Sequence, residues 1–423
     1  MELAYEPRPE PEVADRSPGS GPLGRTAVWL GVATGCYGLA LSVFITTTSL
    51  FLADAVRVGP MLIGLYFAGC AVAGIGVSLA AGRLSDRLSD RRVALAATAL
   101  AGVVGAVAFA VVRNYAAVFV TGAVLLSLSG AYLPQLFAYV KEFAESAGRE
   151  VTPFSSAVRS VVSAGWIVGP PIGFFLLAHV GFGAMYLSTA ILYLVAALLG
   201  RWFLPALPAP PGPAAEDTDT DTADSRMPGL RRVIASVSRR TWFLLGAVTA
   251  VNVADQMYLI VIALYVTKDL HLSAALVGLM AGICAALEIP LMITVGRFAD
   301  RIGKLRVVAA AVVLAVVFFC LLPVAGSTAV LIALQLPNAM WTAVIMNLPM
   351  VVVQQEIPGG AGTVSALYSS VFPLAQLLAG GITGVVAAQT GYRDVFWICA
   401  ALCVLAAVFL LCRTASRPRQ TGV

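Results

Sequence analysis

Three ionisable side chains lie inside stretches of the chain that are otherwise apolar: Arg159, Asp255 and Glu288. A charge at the centre of a bilayer costs about 2.5–3.5 kcal/mol even on the lenient insertion scale, so each of these positions needs a reason. A carboxyl group held there can take up a proton on one side of a barrier and release it on the other, or accept hydrogen bonds from a polar solute. The structural alternatives are a pair that locks two helices together and, for Arg159, a long side chain reaching the membrane surface. The uncharged groups able to share a polar chamber with them are Gln135, Asn252, Gln256, Tyr258, Gln335, Asn338, Asn347 and Gln376. Trp166 and Trp341 add flat aromatic faces to this set. For any single amide, a bond between helices is an equally good reading.

The elements that must position these groups are membrane helices. Mean hydropathy is +0.90 and only 12% of the 423 residues are charged, against roughly 25% in soluble domains. Apolar runs of about 20 residues, each able to cross roughly 30 Å of hydrocarbon, follow one another along the chain. Alternating-period strands are absent, which excludes a barrel. The expected fold is all-α, with twelve transmembrane helices in two pseudo-symmetric six-helix bundles. Residues 1–25 read as a disordered tail and 26–204 as the first bundle. Residues 205–240, with a Pro/Ala run and then acidic and basic stretches, read as a linker. Residues 241–412 form the second bundle and 413–423 a short basic tail. Of the 27 lysines and arginines, 22 fall at one side of this arrangement; Arg57, Arg113, Lys268 and Arg393 fall at the other, and Arg159 in a span. The positive-inside rule then puts both termini and the linker in the cytoplasm.

An internal repeat supports the two halves. Gly82 to Arg92 reads GRLSDRLSDRR, and Gly296 to Arg306 reads GRFADRIGKLR. Gly82/Gly296, Arg83/Arg297, Asp86/Asp300, Arg87/Arg301 and Arg92/Arg306 are all separated by 214 residues, as is Gly64/Gly278 one helix earlier. Duplicated units of this kind are how many secondary transporters are built. Gly82 and Gly296 are expected to end their helices. Asp86 and Asp300, within reach of neighbouring arginines, are expected to form ionic clasps made in one conformation and released in another. In helix 5, expected over about 153–179, Gly165, Gly169, Pro170, Pro171 and Gly173 permit close packing and a bend.

The two turns resemble the signature between helices 2–3 and 8–9 of the major facilitator superfamily, with Gly303 kept in the second copy and Ser89 in its place in the first. The stretches 134–160, 165–174 and 286–290 are similar to those of the bacterial sugar efflux transporters. The helix-5 glycines resemble the antiporter motif of proton-driven exporters, with Ser156 and Phe174 at two of its glycine positions. What the resemblance implies is proton-coupled efflux of sugars or glycoside-like molecules across the bacterial cytoplasmic membrane by alternating access, by a monomer. A drug or secondary-metabolite exporter on the same scaffold is the second reading, and a non-transporting sensor a third. Walker glycines, a nucleophile elbow and paired metal ligands are missing, so neither an enzyme nor an ATP-driven pump is expected, and no cofactor, metal or nucleic acid. The seven cysteines all lie in apolar runs and read as small buried hydrophobes.

Overall fold

The structure is a computed structural model that describes residues 22–85, 90–207, 238–356 and 368–415. The 208–237 part of the linker, the Asp86–Ser89 part of the first signature turn and most of both tails lie outside the described residues. Every described regular element is helical. In hydrocarbon this is the economical way to satisfy each backbone donor and acceptor within its own segment.

In chain order, α1 is Pro22–Asp54, α2 Pro60–Ser85, α3 Arg91–Val111 and α4 Tyr115–Ser146. The stretch Val151–Phe203 contains α5 and α6, divided at Gly181. Gly181 has φ 76 and ψ 175, a conformation closed to side-chain-bearing residues. The second half comprises α7 Arg239–Asp269, α8 Ala274–Ile302, α9 Lys304–Val324, α10 Thr328–Gln355, α11 Val371–Thr390 and α12 Tyr392–Arg413. The eleven long apolar helices among the described residues therefore supply twelve crossings, because one of them is a joined pair. Short polar residues start the helices as expected from capping chemistry. Asp90, Asn114, Ser238, Ser273 and Ser327 each accept a backbone N–H of the first turn that follows.

Two bundles meet along α2 against α11 and α5 against α8, with α1 touching α7 between them. The end bearing the two signature turns is called here the signature end, and the opposite one the far end. Toward the far end the cores of the two bundles merge. Phe44, Phe51, Tyr66, Phe109 and Tyr186 belong to one buried cluster with Val251, Met257, Phe318 and Trp341. Toward the signature end the first bundle keeps a separate core around Tyr37, Leu95, Tyr132, Tyr139 and Tyr193. The bundles are thus joined at the far side and apart at the signature side.

One expectation fails here. Gly82 and Gly296 do not end their helices: α2 runs on to Ser85 and α8 to Ile302. The stop after α8 is Gly303, whose φ of 100 no helix can continue through. Gly296 lies inside the helix with open space where a Cβ would be. Glycine in a helix interior is only mildly unfavourable, by about 1 kcal/mol, so its presence alone does not mark an end.

Candidate transport site

α7 is buried along almost its whole length, so its polar residues have to face protein. Asp255 is 9% exposed and lies within electrostatic range of Glu288 on α8. Around the two carboxyls stand Tyr258 on the same helix, Cys284 one turn before Glu288, and Gln335, Asn338 and Thr342 on α10. Asn338 Nδ2 donates to Cys284 Sγ at 3.3 Å and to Gln335 Oε1 at 3.2 Å, and Gln335 Nε2 donates to Leu331 O at 2.9 Å. Asn338 Oδ1 has no partner although buried, and nor has Oδ1 of Asn252, whose Nδ2 donates to Val248 O at 2.8 Å. Among the described residues neither carboxyl forms an ion pair. The second bundle therefore holds a compact polar cluster with two acids, no compensating cation among the described residues, and spare acceptor capacity.

Between the bundles lies a cavity of about 730 Å³. Gln256, one residue from Asp255, faces it together with Leu259 and Ile260, as do Pro373 and Gln376 of α11 and Ser369 and Ser370 just before it. The first bundle contributes Phe44, Thr48, Tyr66, Cys70, Ser78, Leu79, Ser127 and Tyr193. Gln256 is at the middle of α7, whereas Leu79 stands near the signature end of α2 and Ser369 just before the signature end of α11. The cavity thus runs from mid-membrane toward the signature side, with polar groups from both bundles on an apolar wall. That size and composition suit a small polar solute with apolar faces.

The other expected site residues take different places. Gln135 is buried next to Arg91, whose Nη1 donates to Gln135 Oε1 at 3.4 Å and whose Nε is ion-paired with Glu142. It thus belongs to a charged knot tying α3 to α4 at the signature end. Arg159 is exposed on α5 with its guanidinium 5.1 Å above the ring of Phe137. Trp166 is half-buried on α5, and Trp341 is fully buried against Phe318 and Phe319. In helix 5 the glycines all meet α1: Gly165 against Gly38, Gly169 against Ser42 and Gly173 against Val43. Ser42 Oγ donates to Gly165 O at 2.8 Å. Pro170 and Pro171 face the other way, onto Gly278 and Gly282 of α8. The backbone stays helical through both prolines.

Of the first signature turn, Asp86 and Arg87 lie outside the described residues, as does the Arg83 side chain. Arg92 bonds to Asp90 and donates to Leu204 O at 3.2 Å, joining the start of α3 to the end of α6. This side-chain hydrogen bond from Arg92 holds the Asp90 carboxyl below its ordinary range. In the second turn Asp300 is exposed and lies 4.0 Å from Lys304, so its ionic neighbour among the described residues is a lysine and not an arginine. Arg301 and Arg306 line the shallow pocket of that turn with Gln355 of α10, whereas Arg297 stands on the last turns of α8. The Arg91–Glu142 pair was not anticipated from sequence, since a loop arginine gives no sign of which helix end it will reach.

A family model described as Major Facilitator Superfamily matches residues 30–254 and 244–423. The chain belongs to the major facilitator superfamily. It is a multi-pass membrane transporter and not an enzyme. It is 33% identical over 376 residues to Sugar efflux transporter B of Salmonella typhimurium, covering 89% of this chain and 92% of that protein. It is 33% identical to Sugar efflux transporter A of Dickeya chrysanthemi over 88% of this chain and 91% of that one. For Sugar efflux transporter C of Escherichia coli the figures are 31%, 88% and 92%. Among solved structures, the nucleoside transporter NupG superimposes with a TM-score of 0.77 at 14% identity, over 93% of this chain and all of that one. That likeness concerns the fold.

Proposed function

We propose that this transporter exports sugars or glycoside-like molecules from the cytoplasm, coupled to inward proton movement, by rocking its two bundles about the central cavity. The substrate class is carried by one observation: 31–33% identity, over about nine-tenths of the chain, to several proteins named sugar efflux transporters. Their name gives the direction. The amides and hydroxyls of the cavity wall supply the hydrogen-bonding partners that a polyol needs, and the rings of Phe44 and Tyr66 the apolar face.

The coupling ion is read from Asp255 and Glu288. Two acids within electrostatic range of each other, neither with an ion-pair partner among the described residues, are suited to bind a proton. A cavity that alternates between the two sides lets that proton leave on one side and be replaced from the other. The arginine and lysine distribution supports a cytoplasmic signature end, with both termini and the linker on that side, and the bacterial relatives support a place in the bacterial plasma membrane. The state described here then faces the cytoplasm, ready to load cargo. In the second turn the exposed Asp300, paired among the described residues with Lys304, fits a clasp released in that state.

A second reading, export of lipophilic drugs or secondary metabolites, draws on Leu41, Phe44, Ile45, Phe67, Leu126 and Leu259 along the same cavity. Reconstitution into proteoliposomes with an imposed pH gradient and a panel of labelled sugars decides the matter. Gradient-driven sugar movement is expected, with competition by other sugars. Competition by lipophilic cations alone would favour the drug exporter, and movement of no solute would overturn transport itself.

A further inference from the structure

The 214-residue repeat extends beyond the signature turns to the opposite end of the molecule, where it is preserved bond for bond. In the turn after α1, the Val56 N–H donates to Phe51 O at 3.1 Å and the Val58 N–H to Leu52 O at 3.1 Å. In the turn after α7, the Leu270 N–H donates to Tyr265 O at 3.0 Å and the Leu272 N–H to Val266 O at 2.9 Å. Each residue of the second set is the first-set residue plus 214. Arg57 (φ 61) and His271 (φ 52), the two non-glycine residues with positive φ among those described, are also mates. Such a conformation is uncommon outside glycine, and here the same one is built twice at matched places.

The interface below these turns obeys the same register. A Cβ on Gly64 would meet Gly384 of α11, and one on Gly278 would meet Pro170 of α5. Gly278 is Gly64 plus 214, and Pro170 is Gly384 minus 214. The two contacts are therefore related by a pseudo-two-fold axis running between the bundles. Across a two-fold axis, a residue that touches its own counterpart has to lie beside that axis. Asp54, the last residue of α1, and Lys268, near the end of α7, are counterparts, and they form an ion pair with each other. Two copies of either charge would repel at this point. The halves carry opposite charges and attract.

We propose that these duplicated turns are the far-side gate of the transporter and that the Asp54–Lys268 pair on the pseudo-two-fold axis is its latch, closed in the present state and broken whenever the far side opens. It lies at the membrane face opposite the signature turns, so that breaking one set and making the other can alternate. The side chains are 34% and 45% exposed, and a pair so open to water shifts a balanced equilibrium without locking it. Asp269 is engaged elsewhere, its carboxylate accepting the Arg393 N–H at 3.2 Å, which leaves Asp54 as the acid for Lys268. The inference rests on the alternating-access reading but on no choice of substrate.

Nitroxide labels at Val111 and Val324, exposed positions at the far ends of α3 and α9, report the far-side opening by pulsed electron resonance in lipid nanodiscs. With Asp54→Asn or Lys268→Gln the long-distance population is expected to rise by up to roughly fivefold, and the double exchange Asp54→Lys with Lys268→Asp should bring it back. Unchanged distances in both single variants, or an exchange variant as open as the singles, would overturn the latch. High salt on the unaltered pair should open the far side in the same direction, which keeps the test valid should a variant fail to fold. Oxidative cross-linking of Asp54→Cys with Lys268→Cys should hold the labels at the short distance until a reductant is added. A cross-linked protein that still shows the long distance would also defeat the proposal. None of these readings requires a transported solute, so a negative sugar panel leaves them intact.

Discussion

A Cβ placed on Gly64 would lie 2.4 Å from the Cα of Gly384, across the junction of the two bundles. At that spacing the neighbour is backbone and cannot give way. Gly64→Ala or Gly384→Ala should therefore push α2 and α11 apart on the far side, with a loss of about 1–3 kcal/mol in the closed state. Thermal unfolding in detergent, together with far-side accessibility to an impermeant thiol reagent, reads both consequences.

Gly296 gives the opposite expectation, despite matching Gly82 in the signature. It is helical and faces open space, so Gly296→Ala should be neutral or stabilising by roughly 0.5–1 kcal/mol. Gly303→Ala should be destabilising, because φ 100 is closed to alanine. Melting temperatures of the two variants, measured side by side, should move in opposite directions or differ clearly in size.

Removing either acid tests the coupling site. Glu288→Gln and Asp255→Asn should each abolish sugar accumulation driven by a pH gradient while leaving sugar-for-sugar exchange measurable. Full gradient-driven transport in either variant would take that residue out of the mechanism. On the cavity wall, Gln256→Ala and Gln376→Ala should weaken substrate binding about 5–10-fold, the size of one hydrogen bond, in an equilibrium binding assay.

The pH dependence of stability is argued from Asp90, the cap of α3. Arg92 holds its carboxyl below the ordinary value, so the folded state favours the charged form. The stabilisation is complete above the unfolded carboxyl's value of about 3.9 and is lost as pH falls through the lower folded value. Asp90→Ala should thus be less stable than the parent by about 1 kcal/mol at neutral pH, and the gap should narrow below about pH 4. A gap that stays constant down to pH 2 would refute the assignment.

How much of this was legible in the amino-acid order differs from residue to residue. Hydropathy alone is enough for the helix count, since each span has to be apolar along its length, and the repeat discloses the two halves. Asp255 and Glu288 stood out because a charge in an apolar run is costly, and they do come together. Rotation about each helix axis was not legible. Gln135 and Gln256 look alike in sequence, yet one bonds to Arg91 and the other faces the cavity. The Gly82/Gly296 expectation failed because composition shows where glycine stands and not its φ. The Asp54–Lys268 pair was within reach of the sequence, had the 214-residue register been extended to positions where the copies differ in charge.

Of the helices that meet the opposite bundle through their outer halves, α5 and α11 share one more property. Each passes into the next helix through a single glycine, Gly181 with φ 76 and Gly391 with φ 96, without intervening loop residues. Such a joint has no slack. When α5 tilts at the junction, α6 has to swing with it, and α6 is packed against α3 through Tyr193 on Gly102. The mobile surface of each half is thus a lever fixed to its own interior, and a small displacement at the contact turns a whole half-molecule as one piece.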